Sequence, residues 1–168
     1  MSDISISRKE SLVHKVVLVD GQPGCGKTML SPVIASFRRV ELMSYIFELE
    51  FVCTLFKFKK IKKDAALSMI KMLIDHKIYQ TMMGRETNFR YSDLSSAFRH
   101  RNPQQYFARL FDKGGPFVPK RILKEKPILN INTHSMLGNA ETLFEALNDK
   151  LIFVEVVRHP LYMLIQQT

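Results

Sequence analysis

The chain has 168 residues and a formal net charge of +9, with 25 lysines and arginines against 16 aspartates and glutamates. That length supports one domain with a sizeable core, and a hydrophobic fraction of 46% belongs to a globular protein rather than a disordered or fibrous one. Two cysteines, Cys25 and Cys53, exclude a disulfide framework and a cysteine-based metal centre, and no run approaches the roughly 18–20 apolar residues of a membrane span.

The basic balance suits an anionic ligand without choosing between nucleotide, polysaccharide, membrane surface and nucleic acid. The opening MSDISISRKESLVHK lacks the apolar core of a signal peptide, so a reducing, cytoplasmic compartment is expected. Residues 1–14 are polar and are expected to be loosely held.

Lys15 to Asp20, KVVLVD, reads as a buried strand. It runs into a glycine-rich turn in which Gly21, Gly26, Lys27 and Thr28 satisfy the spacing G-x-x-x-x-G-K-[ST]. A loop that wraps a phosphate must aim several successive N–H groups inward, and glycines allow the positive φ angles this requires. The following helix adds the partial positive charge of its N-terminus. Gly21, Gln22, Pro23, Gly24, Cys25, Gly26, Lys27 and Thr28 are therefore the candidate phosphate-binding residues. Lys27 is expected to reach the outer phosphate oxygens, and the Thr28 hydroxyl to meet a metal ion or another phosphate oxygen. Cys25 reads as a small filler rather than a reactive thiol.

A helix is expected over about Lys27 to Arg39, with Met29, Leu30, Val33, Ile34 and Phe37 on one side and a kink or delayed start from Pro32. Val40 to Tyr45 reads as a second short strand. The run YIFELEFVCTLFKF, Tyr45 to Phe58, is ambiguous by periodicity, and its length favours helix. Lys57 to Lys63 holds five lysines, read as a solvated face or linker in preference to an acceptor-binding patch. Asp64 looks like an N-cap for a helix carrying Leu67, Ile70, Leu73, Ile74 and Ile78 and stopped by Gly84. Met69, Met72, Met82 and Met83 read as core filler. Tyr91 to His100 is a short helix candidate, and Asn102-Pro103 opens another that Gly114-Gly115-Pro116 ends. Arg85, Arg90, Arg99, Arg101 and Arg109 either line an anionic cleft or face water.

Pro127 to Asn132 reads as a strand with Thr133-His134-Ser135 at its carboxyl end, the edge where open α/β sheets bind ligands. Glu141 to Asn148 is a helix. Leu151 to Val157 is an apolar strand of the doubly covered parallel type, followed by Arg158-His159-Pro160 and a helix over Leu161 to Gln167. The alternation predicts one α/β domain over 1–168: three α/β/α layers around a parallel sheet, similar to the P-loop nucleoside triphosphate hydrolases, with a helical insertion at about 45–126.

The loop with Pro23, Gly26 and Thr28, the pair Thr133-His134, and Arg158-His159-Pro160 after FVEVV together resemble the sulfotransferase superfamily over about residues 16–45 and 128–167. The resemblance implies transfer of a sulfuryl group from 3′-phosphoadenosine 5′-phosphosulfate (PAPS) to an acceptor hydroxyl or amine. It implies Lys27 as a catalytic electrostatic group, His134 as catalytic base, Arg158 as the ligand of the 3′-phosphate, and no metal. The family's loop lysine falls on Gly24, and its serine eight residues beyond the arginine falls on Gln166. The chain ends at Thr168 inside an expected helix, as a truncated member would. Lys27 and Thr28 also suit ATP with Mg²⁺, so a small-molecule or nucleotide kinase is the alternative reading, with Thr28 at the metal. A non-catalytic nucleotide-binding fragment is the third. The expected partners are the nucleotide and an unknown acceptor, with no nucleic acid.

Overall fold

The chain is described here by a computed structural model covering residues 4–8 and 10–167. β1 (Lys15–Asp20) lies inside a four-stranded, all-parallel sheet of order β2-β3-β1-β4. The others are β2 (Val40–Tyr45), β3 (Ile128–Asn132) and β4 (Leu151–Glu155). Pairing Val16 with Leu129 on one side and with Leu151 on the other brings the carboxyl ends of β1, β3 and β4 level.

The pleat divides the side chains between two faces. Val16, Leu18, Leu129 and Ile131 enter the main core with residues of α2 (Phe47–Lys57), α3 (Lys63–Met83), α5 (Phe117–Glu125) and α6 (Ala140–Leu147). Asn130 and Asn132 face the other way, towards α1 (Lys27–Ala35). There Asn132 Nδ2 donates to Ser31 Oγ at 3.3 Å, and Ser31 Oγ lies 2.9 Å from Met43 Sδ. Helices thus cover both faces, and every helix between residues 45 and 126, including α4 (Gln104–Arg109), forms the insertion.

Several expectations are corrected. α1 buries Lys27, Ser31 and Ala35, while Met29, Leu30, Val33 and Phe37 are exposed. The helix presents its small, polar side because β3 offers asparagines to bond. α1 ends at Ala35, and Pro32 sits inside it without delaying its start. β4 is an edge strand only partly covered, and it stops at Glu155. α3 is N-capped by Lys62, and the Asp64 carboxylate instead accepts from the Ile6 N–H at 2.7 Å. Met82 is buried, but Met69 and Met72 are exposed. Between Tyr91 and His100 there is only a 3-10 turn, Ala97–Arg99, and a separate helix, α5, starts directly after Gly114-Gly115-Pro116.

In the N-terminal segment, Ile6, Arg8 and Ser11 to Val13 are tied down rather than loose. Asp75, buried on α3, accepts from Arg8 Nε and Nη2, Ser11 Oγ and the N–H groups of Leu12 and Val13. Met1 to Asp3 lie outside the described residues. Arg109 is buried too. It forms a two-pronged ion pair with Glu41 at 2.7 and 2.8 Å and lies over the Tyr106 ring, and with Arg101 it lines a cavity of about 170 Å³ that Glu41 and Glu125 also line.

Candidate functional site at the carboxyl edge of the sheet

Gly21 leaves β1 at φ 149°, where an added Cβ would sit 2.6 Å from the Val156 carbonyl oxygen and 2.7 Å from Cys25 Sγ. Only glycine fits that approach. Gln22, Pro23 and Gly24 make a turn closed by the Cys25 N–H on the Gln22 carbonyl at 3.1 Å. Gly24 (φ 85°) and Gly26 (φ 97°) are left-handed, and Gly26 caps α1 without any side-chain hydrogen bond to the first turn. The space at the Gly26 Cβ position is open. Uncapped N–H groups beside open space are what an anion needs at a helix start. Cys25 is buried beneath Gly21, as a filler should be.

Lys27 departs from expectation. Its ammonium is buried and donates to the Gly21 carbonyl at 2.9 Å, folded back over the loop rather than extended from it. Thr28 faces solvent at the same helix start.

Arg158 follows β4 and is brought against the loop. Nη1 donates to the Gly24 carbonyl at 3.2 Å, and the guanidinium lies 6.0 Å from the Tyr162 ring centroid of α7 (Pro160–Gln167). Between the loop and α7 lies a cavity of about 420 Å³, lined by Gln22, Cys25, Glu155, Arg158, Met163 and Leu164 among others. The side chain of Gln166, the position of the family's serine, lies outside the described residues.

His134 follows β3, whose carboxyl end abuts that of β1 through the Thr133 N–H on the Val19 carbonyl at 3.0 Å. Glu50 of α2 holds this residue twice: Oε1 accepts from the backbone N–H at 2.8 Å and meets Nδ1 at 3.2 Å. An ionised carboxylate only accepts, so Nδ1 carries the hydrogen of this contact, and in the neutral ring Nε2 is then the nitrogen with the free lone pair. Tyr45, Phe47 and the imidazole form a three-ring cluster, the rings lying within 8° of parallel and 5.6–6.5 Å apart.

Two carboxyl groups complete the edge. Asp20 is fully buried and accepts from Thr133 Oγ1 at 2.9 Å and from the N–H groups of Met136 and Leu137 at 2.6 and 3.0 Å. It therefore fixes the segment carrying His134 rather than the glycine loop. Glu155 stands opposite Asp20 across the β1–β4 ladder. Burial first, then the negative charge of Asp20 and a hydrogen bond to it, hold the Glu155 carboxyl above its usual range, with Lys27 opposing.

The structure thus brings residues 21–28, His134 and Arg158 to one edge of the sheet. Glu50 and Glu155 were not among the candidates. Glu50 gives no sequence signal, because a glutamate on an amphipathic helix reads as solvated. Glu155 gives none either, because the apolar run extends the expected strand to Val157 and places the glutamate inside it, whereas β4 ends at Glu155. Among the described residues no group of three or more histidine, cysteine, aspartate or glutamate side chains is arranged to hold a metal ion. Cys53 is buried, and burial together with Glu50 pushes its thiol up to about 12, which leaves it an inert thiol at neutral pH. No helix among the described residues is long and apolar enough to cross a membrane.

No protein-family model, curated protein or solved structure matches the chain.

Proposed function

We propose that this edge binds PAPS through a P-loop-type turn and that the chain transfers its sulfuryl group to an acceptor hydroxyl or amine. The observation that carries the reading is Arg158 on the Gly24 carbonyl, with His134 at the end of a neighbouring strand on the same edge. An anion held by the loop amides and a second anion held by Arg158 can then belong to one small molecule. The residues fit such a ligand: the α1 N-terminus is uncapped, Gly26 has open space above it, and a guanidinium presents a fork to a phosphate.

Bound PAPS supplies the activated sulfuryl group. The loop N–H groups and Lys27 stabilise the charge that grows on the leaving oxygen, once Lys27 exchanges the Gly21 carbonyl for it. His134 Nε2 takes the acceptor's proton, while Glu50 holds Nδ1–H and favours the imidazolium that results. Arg158 turns from the Gly24 carbonyl to the 3′-phosphate.

One observation favours the ATP-dependent kinase reading instead. Glu155 ends β4 beside Asp20 and Lys27, where a phosphotransferase places a carboxylate for its metal, and Thr28 would complete that site.

Thermal melts separate these readings. Binding stabilises the fold by RT ln(1 + [L]/Kd), about 2.7 kcal/mol at a hundredfold excess over Kd. Stabilisation by 3′-phosphoadenosine 5′-phosphate in EDTA supports the sulfuryl-transfer reading, and stabilisation by ATP with Mg²⁺ alone supports the kinase. Binding of either without turnover would make the chain a nucleotide-binding module. Arg158→Ala should lose the response to the 3′-phosphorylated ligand far more than the response to ADP; equal losses would remove Arg158 from its assigned role. His134→Ala should retain ligand stabilisation and lose turnover by roughly 10²–10⁴.

A further inference from the structure

The basic run after α2 has no part in the site described above, and of the outer face of that helix only Phe47 touches it, through the His134 ring. Phe47, Phe51 and Leu55 repeat every four residues along α2, and Phe58 caps its end, so all four share one side. All are exposed, Phe51 and Phe58 by 68% and 67%. Leu137, also exposed, lies beside the same helix end, where Lys57 Nζ reaches the Gly138 carbonyl at 3.4 Å. The opposite side of α2, with Leu49, Val52 and Cys53, is already committed to the core.

The chain then turns through a left-handed Lys59 (φ 56°). The Lys59 N–H bonds the Phe56 carbonyl at 2.9 Å and the Lys60 N–H bonds the Leu55 carbonyl at 2.8 Å. This closure sets the lysines of residues 57–63 directly against the end of the aromatic stripe. Lys63 pairs with Glu145, whereas Lys59 and Lys60 are exposed with no carboxylate partner among the described residues. The acidic residues of α2 are Glu48 and Glu50 at its far end, and Glu50 is committed to His134.

We infer that this face docks on an anionic lipid surface, with Phe51, Leu55 and Phe58 entering the headgroup boundary and the lysines meeting the lipid charge. An exposed aromatic stripe of this size is costly in water and favourable at a bilayer interface. Lys57, Lys59 and Lys60 are exposed beside these rings with no carboxylate partner among the described residues, a local excess of positive charge that argues for an anionic surface over a second copy. The inference does not depend on the sulfuryl-transfer reading.

The test is co-sedimentation of the full chain with vesicles of phosphatidylcholine alone and of phosphatidylcholine mixed with phosphatidylserine, at low and high salt. The expected result is partitioning onto the mixed vesicles, little onto neutral ones, and release by salt. Lys59→Gln with Lys60→Gln should weaken partitioning by about fivefold per lysine. Phe51→Ser with Phe58→Ser should abolish it while leaving the melting temperature unchanged, since both rings are exposed. Equal binding to neutral vesicles, or no binding to either, would overturn the inference. So would serine variants that bind like the parent chain. If the parent chain self-associates and the serine variants are monomeric, the face is an interface between copies and the lipid assignment is wrong.

Discussion

Glu50 joins α2 to the segment after β3 by gripping one residue at both its backbone and its ring. Glutamine at this position keeps an acceptor for the backbone N–H but removes the negative charge that favours an imidazolium. Under the transfer mechanism, Glu50→Gln should lower kcat at least tenfold, though by less than the 10²–10⁴ expected for loss of the base itself. Its effect on the KM for nucleotide should be small, and the pH profile of kcat should move. An unchanged profile would reduce Glu50 to a structural clamp. The residues of the glycine loop were legible because their chemistry is local, in spacing and in sign of φ. Glu50 was not, because its role arises only when residues 84 positions apart in the chain meet.

At the scale of elements, the strands were the most legible part. KVVLVD and VELMSY form strands with the bounds their β-branched and apolar content indicates. The helices were read less well, for identifiable reasons. The apolar side of α1 points outward because Ser31 and Ala35 let the helix lie close to a face that carries Asn130 and Asn132. Periodicity counts apolar residues and has no means of seeing that a sheet offers polar ones. α5 was missed because Gly114-Gly115-Pro116 reads as an ending, whereas Pro116 serves as the N-cap of a new helix. That helix ends on Lys126 in the left-handed region (φ 51°), a conformation that costs an L-residue about 1–2 kcal/mol relative to the right-handed one. Lys126→Gly should therefore stabilise the fold by about 0.5–1 kcal/mol, read as a higher urea midpoint at constant m. The Glu41–Arg109 pair ties α4 to β2 inside the protein. Burial alone would lower the arginine pKa, but hydrogen bonding and the Glu41 charge more than offset it, so the net shift is upward. Arg109→Ala leaves a buried carboxylate uncompensated and should cost about 3–5 kcal/mol in denaturant unfolding.

For the molecule as a whole, charges at the strand tips set a pH dependence. Glu155 binds its proton more tightly in the folded chain than in the unfolded one. Its neutral form therefore supports the fold below the ordinary carboxylate range, and that contribution is lost as pH rises through the raised folded value. Glu155→Gln should be more stable than the parent chain at neutral pH and should show a flatter melting temperature between about pH 4 and pH 8. A variant that follows the parent's slope would mean that Glu155 is not the titrating group. The parallel arrangement was legible from the alternation of strands and helices, and that arrangement is what gathers the loop, His134 and Arg158 on one edge. The anchoring of the N-terminal segment by Asp75 was not, since a polar stretch carries no mark of the single buried carboxylate that collects its donors.

The Lys27 ammonium already rests on the carbonyl of Gly21, sealed from water. Under the proposed binding mode an incoming anion would compete with an internal rival for that cation, so its affinity would be the difference between two grips rather than the strength of one. Weakly charged visitors would lose that contest, and the turn would discriminate by charge density before any specific contact is made.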